Sequence, residues 1–215
     1  MKSRRTSTMR FRAGSVARET DPLSTGPAIV VTGFEPFDGR SKNRSWEVVR
    51  RLSARPGLET LQLPVDFAAL KRAVPGLARG KPRALLLVGE SSAGTVCVEQ
   101  VALNIVDTDR PDNAGATPRA GAIVADGPLA LRSSWDARAL AQALVGRGIP
   151  TVPSFHAGTY ACNAALYLAL HSLPRRTRIG FMHFPHRPRP GLGLGVLVRA
   201  VELGMQALLE PDRNA

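Results

Sequence analysis

Cysteine is scarce in this sequence, with two in 215 residues. Two thiols cannot build the disulfide framework of a small secreted domain, and no Cys/His spacing resembles a zinc site. Free thiols in a reducing cytoplasm are the expectation. Aromatic residues make up 5% of the chain and are not interleaved with the basic ones, which argues against nucleic-acid binding. No apolar run approaches the roughly 18 residues of a membrane span. The N-terminal segment lacks the roughly 7–15-residue apolar core of a secretory signal. Acid is also short: 17 Asp and Glu face 29 Lys and Arg, for a net charge of +12. That excess permits binding to nucleic acid or acidic partners. A solvated, Arg-rich extension is the simpler account, and nucleic acid is not the expected partner.

What is present is a globular composition, 44% hydrophobic, in a chain long enough for one domain with a real core. Residues 1–27 carry Lys2, Arg4, Arg5, Arg10, Arg12 and Arg18 against Glu19 and Asp21 without apolar periodicity, and are expected to be a disordered basic extension. Residues 28–215 form the expected single domain. Continuous apolar runs at 28–33, 84–89, 151–155 and 179–184 read as strands buried on both faces. Residues 61–65 and 96–106 add two more strands. Amphipathic helices are expected from Ser45, from an N-cap at Asp66, over 135–145, from about Thr159 and over 196–209. Strands alternating with helices predict an α/β fold, a three-layer α/β/α sandwich around a mainly parallel or mixed sheet. Residues 107–133 are rich in Pro, Gly, Asp and Asn and form a long loop of the kind that carries function. The glycine-rich stretch 191–195 does not follow a first strand, so it is not a phosphate-binding fingerprint.

The chemistry concentrates at residues 150–171. A strand passes through Ala157-Gly158 into a helix whose first turn contains Cys162. Unpaired N–H groups and the helix dipole favour an anion there, and hence a thiolate nucleophile. The competing reading is a small buried core residue. A nucleophile needs a base, and the base an orienter. Of the four histidines, His171 lies two turns further along the helix, and His156 on the strand side of the bend. His183 ends an apolar strand, and the C-terminal ends of parallel strands gather at one edge of a sheet. Glu99 sits in an otherwise apolar strand, where its carboxylate needs a partner. An imidazolium or an arginine would serve.

Several stretches resemble the pyroglutamyl peptidase I family of cysteine peptidases. They are Val31-Thr-Gly-Phe-Glu-Pro-Phe37, Val98-Glu-Gln-Val-Ala-Leu-Asn104 with Asp107 and Arg110-Pro-Asp-Asn-Ala-Gly115, Asp126-Gly-Pro128, Ala157-Gly-Thr-Tyr-Ala-Cys-Asn163 and Gly180-Phe-Met-His-Phe-Pro185. The resemblance covers about residues 28–210. It implies a phosphorylase/hydrolase-like fold and the removal of N-terminal pyroglutamate through an acyl-enzyme. Cys162 would be the nucleophile, His183 the base and acid, and Glu99 the orienting carboxylate. Phe34, Phe37, Asn43 and Arg110 would contact substrate. The resemblance implies blocked peptides as substrates, a homo-oligomer (dimer or tetramer), and neither metal nor organic cofactor. Departures from the family pattern cluster around the substrate. Asp38 stands in place of Gly, Arg44 in place of Pro, Asp109 in place of an Arg that here comes one residue later at Arg110, Gln100 in place of a basic residue, and His186 in place of Tyr. Two alternatives stay open: the same triad with a shifted amide specificity, and a silent basic binding protein.

Overall fold

The computed structural model describes residues 27–52, 54, 56–187 and 189–210. The predicted extension at 1–27 lies outside them except for Pro27. A six-stranded sheet is built from β1 (Ile29–Phe34), β2 (Leu58–Leu63), β3 (Ala84–Ser91), β4 (Val96–Glu99), β7 (Thr151–Ser154) and β8 (Arg178–Pro185), in the order β2-β1-β3-β8-β4-β7. Helices α1 (Arg44–Val49), α3 (Ala137–Val145) and α5 (Leu194–Leu209) cover one face. Helices α2 (Phe67–Gly76) and α4 (Ala161–Ser172) cover the other. The alternation of side chains dictates the two cores. Leu86, Val88, Met182 and Phe184 point to one helical layer, and Leu85, Leu87, Ile179 and Phe181 to the other.

Helix starts follow their caps. Asp66 accepts from Ala69 N–H and Asp136 from Arg138 and Ala139 N–H. At Gly180, an added Cβ would meet the Trp135 ring 2.6 Å away, so the indole that precedes α3 can lie over β8 only because that residue is glycine.

The sheet is mixed, within the expected class, because β4 runs antiparallel to β8 and parallel to β7. Two finer expectations need correction. The C-terminal ends of β7 and β8 do not gather at one edge, because these two strands run in opposite directions. Ser154 is level with Phe181, and Val152 with His183, across β4. What brings the helix that follows β7 to His183 is the connection over residues 155–160. The strand expected over 96–106 is broken as well. It leaves the main sheet after Glu99, and β5 (Val101–Leu103) pairs instead with β6 (Ala130–Arg132). The break sits at Gln100, whose amide donates to Trp135 O and accepts from Ala137 N–H. This polar anchor fastens α3 and turns the chain, a pull that hydrophobic periodicity does not register.

Candidate active site

Cys162 is the second residue of α4, just past the N-cap Tyr160, and is half-buried. Three hydrogen bonds of the buried Asn163 hold that end of the helix. Asn163 accepts from Leu103 N–H at 2.9 Å and donates to Leu103 O and Ile105 O, each at 2.9 Å. The segment predicted as one long strand thus anchors the helix that carries the thiol. His183 projects from β8 between Cys97 on β4 and Gly89 on β3. A Cβ placed on Gly89 would stand 2.8 Å from Cys162 Sγ and 3.1 Å from His183 Cδ2. Sulfur and ring are therefore neighbours on one face of the sheet, above a glycine that leaves room for both.

Glu99 projects from β4 to the same face. Its Oε1 lies 2.8 Å from His183 Nδ1, and only 2% of the residue is exposed. An ionised carboxylate can only accept, so Nδ1 carries the hydrogen and Nε2 is left for the sulfur. Burial opposes the imidazolium. The charge and hydrogen bond from Cys162 outweigh it, with Glu99 adding to them, and His183 is pushed up to about 10. Cys97, the second thiol, is pushed up to about 11 by burial and then by the Glu99 charge. Neither cysteine is in a disulfide.

These residues floor a cavity of about 380 Å³, within the range of small-molecule sites. Phe34, Phe37, Val65 and Tyr160 form apolar walls. Tyr160 lies edge-on to Phe67 and tilted against Phe37, and its hydroxyl donates to Pro111 O at 2.9 Å. All seven residues nominated from the sequence, Cys162, His183, Glu99, Phe34, Phe37, Asn43 and Arg110, line this one cavity. Asn43 is committed to the chain. It caps α1 through Ser45 N–H and donates to Glu35 O, fixing the loop that presents Phe37. Arg110 reaches the cavity with its guanidinium 5.8 Å from the Phe37 ring centroid, while Asp109 turns outward to an exposed ion pair with Arg119. The one-residue offset thus keeps an arginine at the wall and sends the acid to solvent. His171 stacks on Tyr167 at the far end of α4. His156 lines the rim and accepts from Gly158 N–H.

Sequence reasoning missed Tyr160, Cys97, Gly89 and Asn163. Tyr160 and Asn163 flank the cysteine, so proximity to it was the available signal. Gly89, at the end of a buried strand, signals close approach by another group. Gly89→Ala is expected to lower kcat/KM by about 10–100-fold through displacement of the sulfur and ring, and to lower the melting temperature by a few degrees. Steady-state kinetics with thermal denaturation checks both; unchanged kinetics would contradict the close approach of the Cys162 sulfur and the His183 ring to this glycine.

The pyroglutamyl peptidase family model matches residues 27–208. A pyrrolidone-carboxylate peptidase of Thermococcus onnurineus is 36% identical over 197 residues, spanning 85% of this chain and 98% of its own. One from Clavibacter michiganensis is 39% identical over 175 residues, spanning 78% and 82%. The crystal structure of pyrrolidone carboxyl peptidase from Thermus thermophilus superposes with a TM-score of 0.78 at 38% identity, covering 83% of this chain and 99% of that one. With a family model matched over most of its length and relatives 36–39% identical, the chain belongs to the pyroglutamyl peptidase family.

Proposed function

We propose that the chain removes pyroglutamate from the N-terminus of peptides as a cysteine exopeptidase, with Cys162 as nucleophile. As a family member it is a hydrolase. The observation that carries the reading is the placement of Cys162, His183 and Glu99 on one face of the sheet, under apolar walls, with the ring held to a buried carboxylate. Pyroglutamate is a small neutral lactam without a free amine. Phe34, Phe37 and Tyr160 suit its flat ring better than an acidic site or a metal would.

The Cys162 sulfur attacks the exocyclic carbonyl carbon, and the carbonyl π electrons move to oxygen. Backbone N–H groups at the start of α4 stabilise that oxyanion. The His183 imidazolium gives its Nε2 proton to the leaving amine as the C–N bond breaks. A thioester remains on Cys162. Neutral His183 then takes a proton from water, whose oxygen attacks the thioester, and free pyroglutamate leaves with Cys162 regenerated. Glu99 holds the ring and its charge throughout.

A reducing compartment suits the two free thiols. Exposed Val152 and Phe155, on and just after the edge strand β7, support a homo-oligomer. No helix among the described residues is long and apolar enough to cross a membrane.

The test is hydrolysis of a pyroglutamyl-coumarin amide beside alanyl and prolyl analogues. A rate on the pyroglutamyl compound at least about 100-fold above the others is expected, from the fit of the ring. Equal rates on all three would reject the pyroglutamyl specificity and leave a less selective amidase.

A further inference from the structure

The catalytic cavity opens into a second one of about 550 Å³, and the two share Phe37, Glu90, Ser91, Ser92 and Arg110. The second cavity adds Asp38, Arg40, His186 and Arg187. A neutral lactam needs none of these charges. Once it fills the first cavity, the rest of the peptide has to leave past other residues, and this connected space is ready to take it.

The charges here do not cancel. Glu90 is almost fully buried, with its side chain 3% exposed. One of its oxygens lies 2.8 Å from Arg40 Nη1, and the other accepts from Arg44 N–H. Arg40 is thereby neutralised, and its guanidinium covers the Phe37 ring at 4.5 Å. Arg110 and Arg187 are exposed, and neither forms an ion pair with a carboxylate among the described residues. Arg189 adds a third guanidinium beside the Ser92–Gly94 turn, 3.8 Å from where a Gly94 Cβ would stand. Among the described lining residues, the acid left to oppose them on this wall is the exposed Asp38.

Resting on the pyroglutamyl reading above, we propose that Arg110 and Arg187 form a carboxylate subsite for the residue that follows pyroglutamate. The ligand is a carboxylate one residue beyond the scissile amide. It is supplied either by an acidic side chain or, in a dipeptide, by the free C-terminus. Guanidinium groups suit it because their paired N–H donors match two carboxylate oxygens.

The experiment compares kcat/KM on four peptides. Pyroglutamyl-Gln-amide carries no carboxylate, and pyroglutamyl-Lys-amide carries a cation. Pyroglutamyl-Glu-amide carries a side-chain carboxylate, and pyroglutamyl-Gln with a free C-terminus carries a terminal one. At 50 mM salt at least one of the last two is expected to exceed the neutral amide by about 5-fold, the scale of two partly exposed charge pairs, and the lysyl peptide to fall below it. Which of the two is favoured identifies the carboxylate that is read. The ratio should shrink toward one in 1 M salt, where screening acts over about 3 Å. Arg187→Glu should reverse the order of the glutamyl and lysyl amides, a positive readout that misfolding cannot produce. Arg110→Gln should lower the carboxylate-to-neutral ratio. Turnover of all four peptides within about twofold of one another overturns the subsite alone. An unchanged order in Arg187→Glu overturns the assignment to Arg187. No turnover of any of them, with Cys162 still alkylating, overturns the pyroglutamyl reading and this one with it.

Discussion

Cys162→Ser is expected to lower kcat/KM on a pyroglutamyl amide by at least about 10⁴-fold, because loss of a nucleophile removes the covalent route as a whole. The fold should be untouched. Serine is smaller than cysteine, the site is half-buried, and the neighbouring Asn163 bonds that anchor α4 do not involve position 162. Circular dichroism and the melting temperature should therefore stay close to wild type while turnover vanishes. The second cysteine makes the labelling experiment clean. Cys97 lines the same cavity, but burial and the adjacent Glu99 charge push its thiol up to about 11, so near neutral pH it is protonated and slow to alkylate. Fast iodoacetamide incorporation should thus be stoichiometric in the wild type and absent from Cys162→Ser. If the variant kept more than a few per cent of activity, or if Cys97 took the label, the nucleophile would have been assigned wrongly.

The triad was legible because each member breaks a local pattern. Cys162 sits where a strand gives way to a helix through glycine, and Glu99 is a carboxylate in an apolar run. His183 does lie beside Cys162, but not through neighbouring parallel strand ends, because β4 lies between β7 and β8 and runs against β8. Strand direction depends on which strand pairs with which, and apolar runs carry no record of that. The broken strand at Gln100 escaped for a related reason. Its cause is a pair of side-chain hydrogen bonds to Trp135 and Ala137 at the start of α3, 35 and 37 residues away in sequence. The offset of Arg110 was visible in the sequence. Its consequence was not, since only the backbone course of 107–113 decides which of two adjacent residues faces the wall. Asp112 fixes that course by accepting from Ala114, Ala116 and Phe67 N–H groups.

Glu99→Gln isolates the electrostatic part of the site. Glutamine keeps the size of the side chain and an oxygen that can accept from His183 Nδ1–H, but it removes the charge. His183 is held protonated to about 10 in spite of its burial, by the Cys162 charge and hydrogen bond and then by Glu99. Taking away the Glu99 charge removes one of the attractions that hold the proton on His183, so the variant's ring must lose its proton at lower pH. Acylation needs the imidazolium to protonate the leaving amine. The alkaline fall of kcat/KM, expected near pH 10 in the wild type, should move at least about one pH unit lower. At neutral pH kcat/KM should drop by about 10²–10³-fold, since an uncharged partner orients the ring but supports its charge poorly. Stability should respond with the same sign. A histidine raised on folding stabilises fully below its unfolded value of about 6.5, and that contribution disappears as pH climbs through about 10. The wild-type melting temperature should therefore fall across this window, and that of Glu99→Gln should fall less. A variant whose alkaline limb stays in place would mean that the Glu99 carboxylate does not act on the ring, despite the 2.8 Å contact between them.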